Sequence, residues 1–92
     1  MRIRYHIDPV TGLPHIYQHS VSEQEVEEIL AGALQDIRGR DHSRIALGLT
    51  EAGRYLKVIY VPDPAPDSVF VITAYELGPK AKRALRRRKK KQ

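Results

Sequence analysis

The chain has 92 residues, which is enough for one domain with a single modest core and too few for two. It contains no cysteine, so disulfides and cysteine-ligated metals are excluded, and no apolar run approaches the roughly 20 residues of a membrane span. The opening stretch, MRIRYHIDP, lacks the apolar region of a secretory signal. These features predict a soluble, cytoplasmic protein with no membrane association.

The net charge of +5 is divided unevenly along the chain. Nine of the sixteen basic residues, and none of the eleven acidic ones, lie in KAKRALRRRKKKQ, residues 80–92. Residues 1–79 therefore carry a net charge of −4. We predict a mildly acidic folded body over residues 1–79, followed by a basic C-terminal helix and a frayed tail over residues 80–92. Such a segment can contact phosphate groups through salt-sensitive interactions.

The chain begins with a predicted strand. Residues 2–7 alternate apolar and polar side chains, which is the period of a half-buried β-strand. Turn residues follow, and Pro14 then favours a short helical turn over residues 15–19, because proline suits the first helical position.

A helix is predicted over residues 23–33. Ser22 and Glu25 have the spacing of a capping box, in which each residue's side chain bonds the other's backbone N–H. Val21 and Val26 fall at the two positions of a hydrophobic staple around the same helix start.

The second half of the chain is rich in strand signals. Residues 35–43 are polar and predict a loop. Strands are then predicted over residues 45–50, 55–61 and 68–75, which contain alternating, β-branched or aromatic residues. The turn TEAGR, with Gly53 at a positive φ, joins the first two, and the stiff, proline-rich PDPAPD joins the last two and belongs to neither strand.

A basic helix is predicted over residues 80–87, docked by a narrow apolar stripe of Ala81, Ala84 and Leu85 and frayed beyond it. The element order is then β-α-β-β-β-α. It predicts an α+β fold with a small antiparallel sheet of about four strands, one internal helix and one C-terminal basic helix.

Three stretches of the chain resemble, in order, the BrnT toxins and neighbouring small proteins of the RelE-like superfamily. They are QHSVSEQEVEEIL, RIALGLTEAGRYLKVIYV and VFVITAYELGPKAKRALRR, within residues 18–88. The family pattern is a "KHGVSFEEA" segment, an arginine-led strand with a "GR" turn before the next strand, and an "SAR" segment before a basic helix. The resemblance implies a RelE-like fold and a type II toxin that cuts mRNA without metal or cofactor.

The resemblance also implies partners. Such toxins act on RNA or the ribosome and are neutralised by a small antitoxin, for example a ribbon-helix-helix protein, through which they oligomerise. The exposed edge of the predicted sheet is a place where a partner's strand or helix can bind.

The candidate catalytic residues follow from the same resemblance. His19 stands at the histidine of "KHG", Arg44 at the arginine that leads the strand, and Arg54 at the arginine of "GR". Tyr75 replaces the arginine of "SAR", which favours a protein that has kept the fold and lost the chemistry. Metal-free RNA cleavage needs proton-transfer groups, here His19 or Tyr75, and cations for the charge on phosphorus, here Arg44 and Arg54.

The RNA-binding residues are predicted on the basic helix: Lys80, Lys82, Arg83, Arg86 and Arg87. By strand alternation, Tyr60 is predicted in the core of the sheet. Tyr55 and Tyr75 are predicted to face outwards, where each can stack on a base.

A metal site is the weaker interpretation of the histidines. His15 and His19 are four residues apart and would share one face of a helix, with a third ligand from His6, Asp8 or His42. No Glu stands between them as in a helical metalloprotease motif, so we predict no metal.

Three functions stay open on the sequence alone. The first is a ribonuclease toxin and the second a non-catalytic RNA- or ribosome-binding protein of the same fold. The third is an interaction domain whose basic tail serves solubility or docking.

Overall fold

A computed structural model describes the backbone of residues 1–90 and the side chains of residues 1–88. The described part has a five-stranded mixed sheet, two α-helices and one 3-10 helix, which confirms the α+β class. The elements in chain order are β1 (Arg2–Tyr5), the 3-10 helix (His15–His19), α1 (Glu23–Ala31), β2 (Gln35–Arg38), β3 (Arg44–Leu49), β4 (Tyr55–Pro62), β5 (Ser68–Glu76) and α2 (Pro79–Lys90).

The sheet has the strand order β1-β5-β4-β3-β2. Strands β2 to β5 form an antiparallel meander, whereas β1 pairs with β5 in the parallel direction. The prediction of an antiparallel sheet of about four strands is therefore wrong in the number of strands and in the direction of β1, and correct in the antiparallel pairing of β3, β4 and β5. Parallel pairing needs a long crossover connection. The 3-10 helix and α1 provide it here, and no local pattern reveals which strand β1 joins.

The fifth strand is β2, which occupies the start of the predicted polar loop over residues 35–43. Ile37 is its only aliphatic side chain, so the segment carries no alternation signal, and pairing with β3 makes it a strand. Charged residues are typical of edge strands. At position 39, in the turn after β2, a Cβ would lie 2.4 Å from Ser43 Oγ, so a larger residue there requires the serine side chain to shift.

The start of α1 confirms the capping box. Ser22 Oγ accepts a hydrogen bond from Glu25 N at 3.1 Å, and Glu25 Oε1 accepts one from Ser22 N at 3.1 Å. Val21 and Val26 are 1% and 0% exposed, as expected of a hydrophobic staple. The helix ends at Ala31, two residues earlier than predicted.

The other local predictions have mixed outcomes. The helical turn over His15–His19 is a 3-10 helix, and Gly53 has a φ of +93° in the turn between β3 and β4; both confirm the predictions. Strand β4 includes Pro62, so the expectation that PDPAPD belongs wholly to the loop is wrong by one residue.

Helix α1 covers one face of the sheet, the core face, and the 3-10 helix lies along the β5 side of the sheet and contributes Ile16 to the core. Its buried residues are Ile16, Val21, Val26, Ile29, Ala46, Leu56, Val58, Tyr60, Val69, Val71 and Ala74. The burial of Tyr60 there confirms the prediction for that residue. The opposite face, which we call the basic face, carries the side chains that alternate with these, among them Leu47, Tyr55, Lys57, Ile59, Thr73 and Tyr75.

Helix α2 packs on one end of the basic face. Leu85 is 2% exposed and forms a second buried cluster with Tyr55 and Leu77. The outward orientation predicted for Tyr55 is therefore wrong, because α2 covers its ring. Of the predicted apolar stripe only Leu85 is buried, and both of its alanines are exposed.

Helix α2 also continues to Lys90, beyond the predicted end at residue 87, so the frayed tail is wrong for residues 88–90. The last two residues of that tail, 91–92, lie outside the described residues. Within residues 1–90, neither helix is long and apolar enough to cross a membrane.

Candidate functional site

Five rings line up along the β5 side of the basic face. The centroid of His6 lies 6.4 Å from that of Phe70 and 5.8 Å from that of His15. His15 and His19 follow at 5.4 Å, and His19 and Tyr75 at 5.7 Å. We call Phe70, His6, His15, His19 and Tyr75 the ring row. Three imidazoles thus stand between two aromatic rings, each of a kind on which a nucleic-acid base stacks.

Main-chain hydrogen bonds bring the three histidines to β5. His6 extends β1, and its N–H donates to Val71 O at 2.9 Å. His15 N donates to His6 O at 2.9 Å, so the 3-10 helix starts beside the residue where β1 stops. Ile16 is buried in the core and fixes the helix from below. His15 and His19 are therefore held next to the second half of β5, where Tyr75 lies.

Asp8 organises the turn before the 3-10 helix. Its Oδ1 accepts hydrogen bonds from Val10 N at 2.8 Å and Thr11 N at 3.2 Å, and these bonds hold the pKa of the carboxyl below its usual value. Its Oδ2 lies 3.8 Å from His15 Nδ1. A protonated His15 therefore has a counter-ion in place.

A cation lies over each end of the ring row. The guanidinium of Arg4 is 5.2 Å from the Phe70 centroid, and Lys57 Nζ is 5.4 Å from the Tyr75 centroid. Arg4 forms an ion pair with Asp63 at 2.7 Å, which balances its charge. Within the described residues, Lys57 has no carboxylate oxygen within 4.0 Å. Its ammonium group is available to an anion.

Helix α2 extends this cationic surface. Lys82 Nζ and the Arg86 guanidinium lie 5.8 Å and 5.7 Å from the centroid of Tyr55. Tyr55 and Lys57 are two residues apart on the same face of β4, which is about 7 Å. The remaining predicted RNA-binding residues, Lys80, Arg83 and Arg87, are exposed on the same helix.

Four of the eleven acidic residues lie on α1, on the other side of the sheet. Helix α1 exposes Glu23 and Glu27 above the core face, and Glu28 is half-buried there. The two faces of the sheet thus differ in charge, with α1 acidic and α2 basic. A polyanion approaching this molecule is attracted to the basic face and repelled from α1.

Arg54 is near the ring row but is bound to its own protein. Its Nη1 lies 2.9 Å from Ser20 O and 2.9 Å from both carboxylate oxygens of Glu25, and its Nη2 lies 3.6 Å from Glu76. The side chain is 30% exposed. The guanidinium thus binds the carboxylates of Glu25 and Glu76 and the carbonyl of Ser20, the residue that follows His19.

Arg44 lies at the other end of β3. Its Nε donates to Asp36 Oδ1 at 2.8 Å, and this bond raises the pKa of Arg44. Tyr60 Oη donates to the other oxygen of Asp36 at 2.5 Å. Arg44 lies opposite Tyr60 and two residues from Ala46, both on the core face, so its side chain is on the other face of the sheet from the ring row.

Of the four predicted catalytic residues, the structure therefore brings together His19, Tyr75 and Arg54 and leaves Arg44 apart. Their catalytic role stays a prediction. Arg44 instead lines an open surface cavity of about 690 Å³ at the turn between β2 and β3, with Arg38 and His42 among its neighbours.

Phe70 and Lys57 were not predicted as site residues, and His6 and His15 were considered only as metal ligands. Lys57 interrupts the apolar run YLKVIY, which is the one local signal that could have drawn attention to it. His6 and Phe70 are distant in sequence, and only the parallel pairing of β1 with β5 joins them. Within the side chains that the structure describes, no group of three or more His, Asp or Glu residues could hold a metal ion.

Comparison with known proteins finds no relative. No protein-family model matches the chain, and neither the curated proteins nor the solved structures contain a match. The resemblance to BrnT toxins therefore stays a prediction that depends on the residues quoted for it.

Proposed function

We propose that the protein is a cytoplasmic, metal-independent endoribonuclease that binds single-stranded RNA across the basic face, in the manner of a type II toxin with a RelE-like fold. The observation that carries the proposal is the packing of His19 against Tyr75 at 5.7 Å, with the ammonium group of Lys57 over the same tyrosine ring. Proton-transfer groups, a cation and a stacking surface meet there.

RNA binding is supported by the distribution of charge and rings. Lys57, Lys82 and Arg86 form a cationic strip beside Tyr75, and the acidic helix α1 lies on the opposite face. Phosphate groups bind such cations, and unpaired bases stack on aromatic rings and imidazoles. Duplex RNA keeps its bases paired, so the ring row favours single strands.

The chemistry is a transesterification in which no metal takes part. Neutral His19 accepts the proton of a ribose 2′-hydroxyl, and the 2′-oxygen forms a bond to phosphorus. The bond from phosphorus to the 5′-oxygen breaks, and protonated His15 gives its proton to that oxygen. Lys57 stabilises the negative charge on the phosphorane. The products are a 2′,3′-cyclic phosphate and a 5′-hydroxyl end.

The second candidate is a protein that binds RNA or the ribosome without cutting it. One observation favours it: the two arginines that the resemblance places in the active site are both occupied, Arg54 by Glu25 and Arg44 by Asp36. Tyr75 in place of the family's arginine points the same way.

A cleavage assay separates these candidates. Single-stranded RNA of mixed sequence, labelled at its 5′ end, is incubated with the protein in excess chelator, and the products are tested for cyclic phosphate. We expect cleavage that His19→Ala and His15→Ala abolish and that His42→Ala, a histidine outside the ring row, leaves intact. RNA binding without cleavage selects the second candidate, and the absence of binding overturns both.

The toxin assignment has its own test. Induced expression in bacteria should arrest growth, and His19→Ala should relieve the arrest. A small gene beside this one should encode the antitoxin, which we expect to restore growth and to form an oligomer with the toxin when co-expressed. Harmless expression of the wild-type protein overturns the toxin assignment, whatever the RNA assay shows.

A further inference from the structure

Strand β2 is an edge of the sheet, and within residues 1–90 it pairs with β3 alone. Gly39 N donates to Ser43 O at 2.8 Å, so Gly39 directs its N–H towards the β3 side, while Ser43 N donates to Arg40 O. Main-chain groups alternate in direction along an antiparallel ladder, and Ile37, two residues before Gly39, therefore also directs its main-chain groups at β3. The N–H and C=O groups of Asp36 and Arg38 therefore point away from β3. The Asp36 carbonyl accepts a hydrogen bond from Arg44 Nη2 at 3.2 Å and has a second acceptor position for a partner strand.

We propose that two copies of this chain pair along β2 in antiparallel fashion, around a two-fold axis at Ile37. The outward main-chain groups belong to Asp36 and Arg38, and these residues must form the hydrogen-bonded pairs between the two copies. The two-fold axis can therefore pass through Asp36, Ile37 or Arg38. Centres at Asp36 or at Arg38 place like charges directly opposite each other, which is destabilising. Only an axis at Ile37 places Asp36 of each copy opposite Arg38 of the other, which gives two pairs of opposite charge.

The charges around Arg38 support this pairing. Arg38 lies directly opposite Arg44 on β3, and Asp36 already binds Arg44. Among the described residues, no carboxylate oxygen lies within 4.0 Å of the Arg38 guanidinium. A carboxylate has about four acceptor positions, so Asp36 can also bind the partner's Arg38. The dimer thus supplies the counter-ion that the single chain lacks.

The apolar side chain between these charges is also self-complementary. Ile37 is 40% exposed, and it continues a row with Ile45 and Ile59 across the sheet. In the dimer it packs against the partner's Ile37, and the row runs through both copies. The interface is short, with main-chain bonds from two residues of each strand, so we expect a dissociation constant in the micromolar range.

The first experiment tests the register. The chain has no cysteine, and the two-fold axis places residue 37 opposite its own copy in a non-hydrogen-bonded pair. The Cα atoms of such a pair are about 4.5 Å apart, which suits a disulfide. Under mild oxidation, Ile37→Cys should form a covalent dimer at least about ten times faster than Gln35→Cys, whose Cα would lie four residues out of register. Equal rates would overturn the register.

The second experiment measures the equilibrium between monomer and dimer in the absence of a cross-link. Sedimentation equilibrium of the full chain should show a concentration-dependent dimer, and Arg38→Asp, which places acids opposite each other, should leave a monomer. Arg40→Asp makes the same charge change outside the strand and should still dimerise. Circular dichroism confirms that each variant is folded. A wild-type protein that stays monomeric up to millimolar concentration overturns the proposal, which does not depend on RNA binding.

Discussion

Arg54 Nη1 lies 2.9 Å from both carboxylate oxygens of Glu25, and it lies equally close to Ser20 O. One guanidinium therefore ties the turn between β3 and β4 to the capping box of α1 and to the end of the 3-10 helix. Ser20 has a φ of +57° and follows His19 directly. Arg54 thus acts on His19 through the backbone, as a positioning residue.

Replacing Arg54 should therefore cost stability. We expect Arg54→Ala to lower the free energy of unfolding by about 2 kcal/mol, because Ser20 O loses this hydrogen bond and the Glu25 carboxylate keeps only its bond from Ser22 N. Arg40→Ala, at an exposed arginine, should change it by less than about 0.5 kcal/mol. Urea unfolding measures both. A fully stable Arg54→Ala protein that has lost RNA cleavage would instead place Arg54 in direct contact with the RNA.

Acid should weaken the attachment of the loop between β4 and β5. Asp63 accepts hydrogen bonds from Arg4 at 2.7 Å and from Ser68 Oγ at 2.7 Å, and these lower its pKa to about 2. The Asp63 carboxylate becomes protonated near pH 4 in the unfolded chain, but only near pH 2 in the folded protein. Stability should therefore fall as the pH drops through that window.

The measurement is urea unfolding at several pH values between 5 and 2. Asp63→Asn removes the titrating group and should flatten the dependence, whereas Asp41→Asn, an exposed aspartate in another loop, should not. A wild-type curve that matches the Asp63→Asn curve would contradict the assigned pKa.

How much of this could be predicted depends on the range of the interactions. The capping box of Ser22 and Glu25 and the positive φ of Gly53 are local, and both were predicted correctly. Strand β2 has one aliphatic residue in four, so its existence depends on pairing with β3, which no local pattern encodes. The parallel position of β1 was missed for the same reason.

The candidate site likewise depends on contacts between residues that are distant in the sequence. The resemblance placed Arg44 and Arg54 in one catalytic site, but Arg44 lies on the core face beside Tyr60, at the opposite end of β3 from Arg54. The ring row joins His6 to Phe70 and His19 to Tyr75 across more than fifty residues each. Only the packed sheet creates those neighbours.

Thr73 offers a simple route to a more stable protein. Its Oγ1 is buried on the basic face and, among the described side chains, is the buried polar atom without a hydrogen-bond partner. Replacing a buried, unsatisfied hydroxyl by a methyl group removes a desolvation penalty. Thr73→Val should raise the free energy of unfolding by about 1 kcal/mol. Ser68→Ala is the contrast, since that hydroxyl donates to Asp63 and its loss should destabilise the protein.

Leu85 should decide whether α2 stays on the sheet. It is 2% exposed, and neighbouring residues of the helix are charged or exposed. Leu85→Ala should cost about 2–3 kcal/mol and should accelerate amide hydrogen exchange in α2. Ala84→Ser, on the exposed side, is the matched control. Unchanged exchange in the Leu85→Ala protein would mean that other contacts hold the helix.

Lys57 should show its contact with phosphate in the salt dependence of RNA binding. For a single strand, the slope of log K against log salt concentration changes by about 0.7 for each phosphate contact. Lys57→Gln should therefore reduce the magnitude of the slope by about 0.7, because the ammonium over Tyr75 is lost. Arg40→Gln removes a charge away from the basic face and should leave the slope unchanged. Fluorescence anisotropy with labelled single-stranded RNA at about 50 to 300 mM salt gives both slopes. Equal slopes for wild type and Lys57→Gln would show that the phosphates follow another path across the sheet.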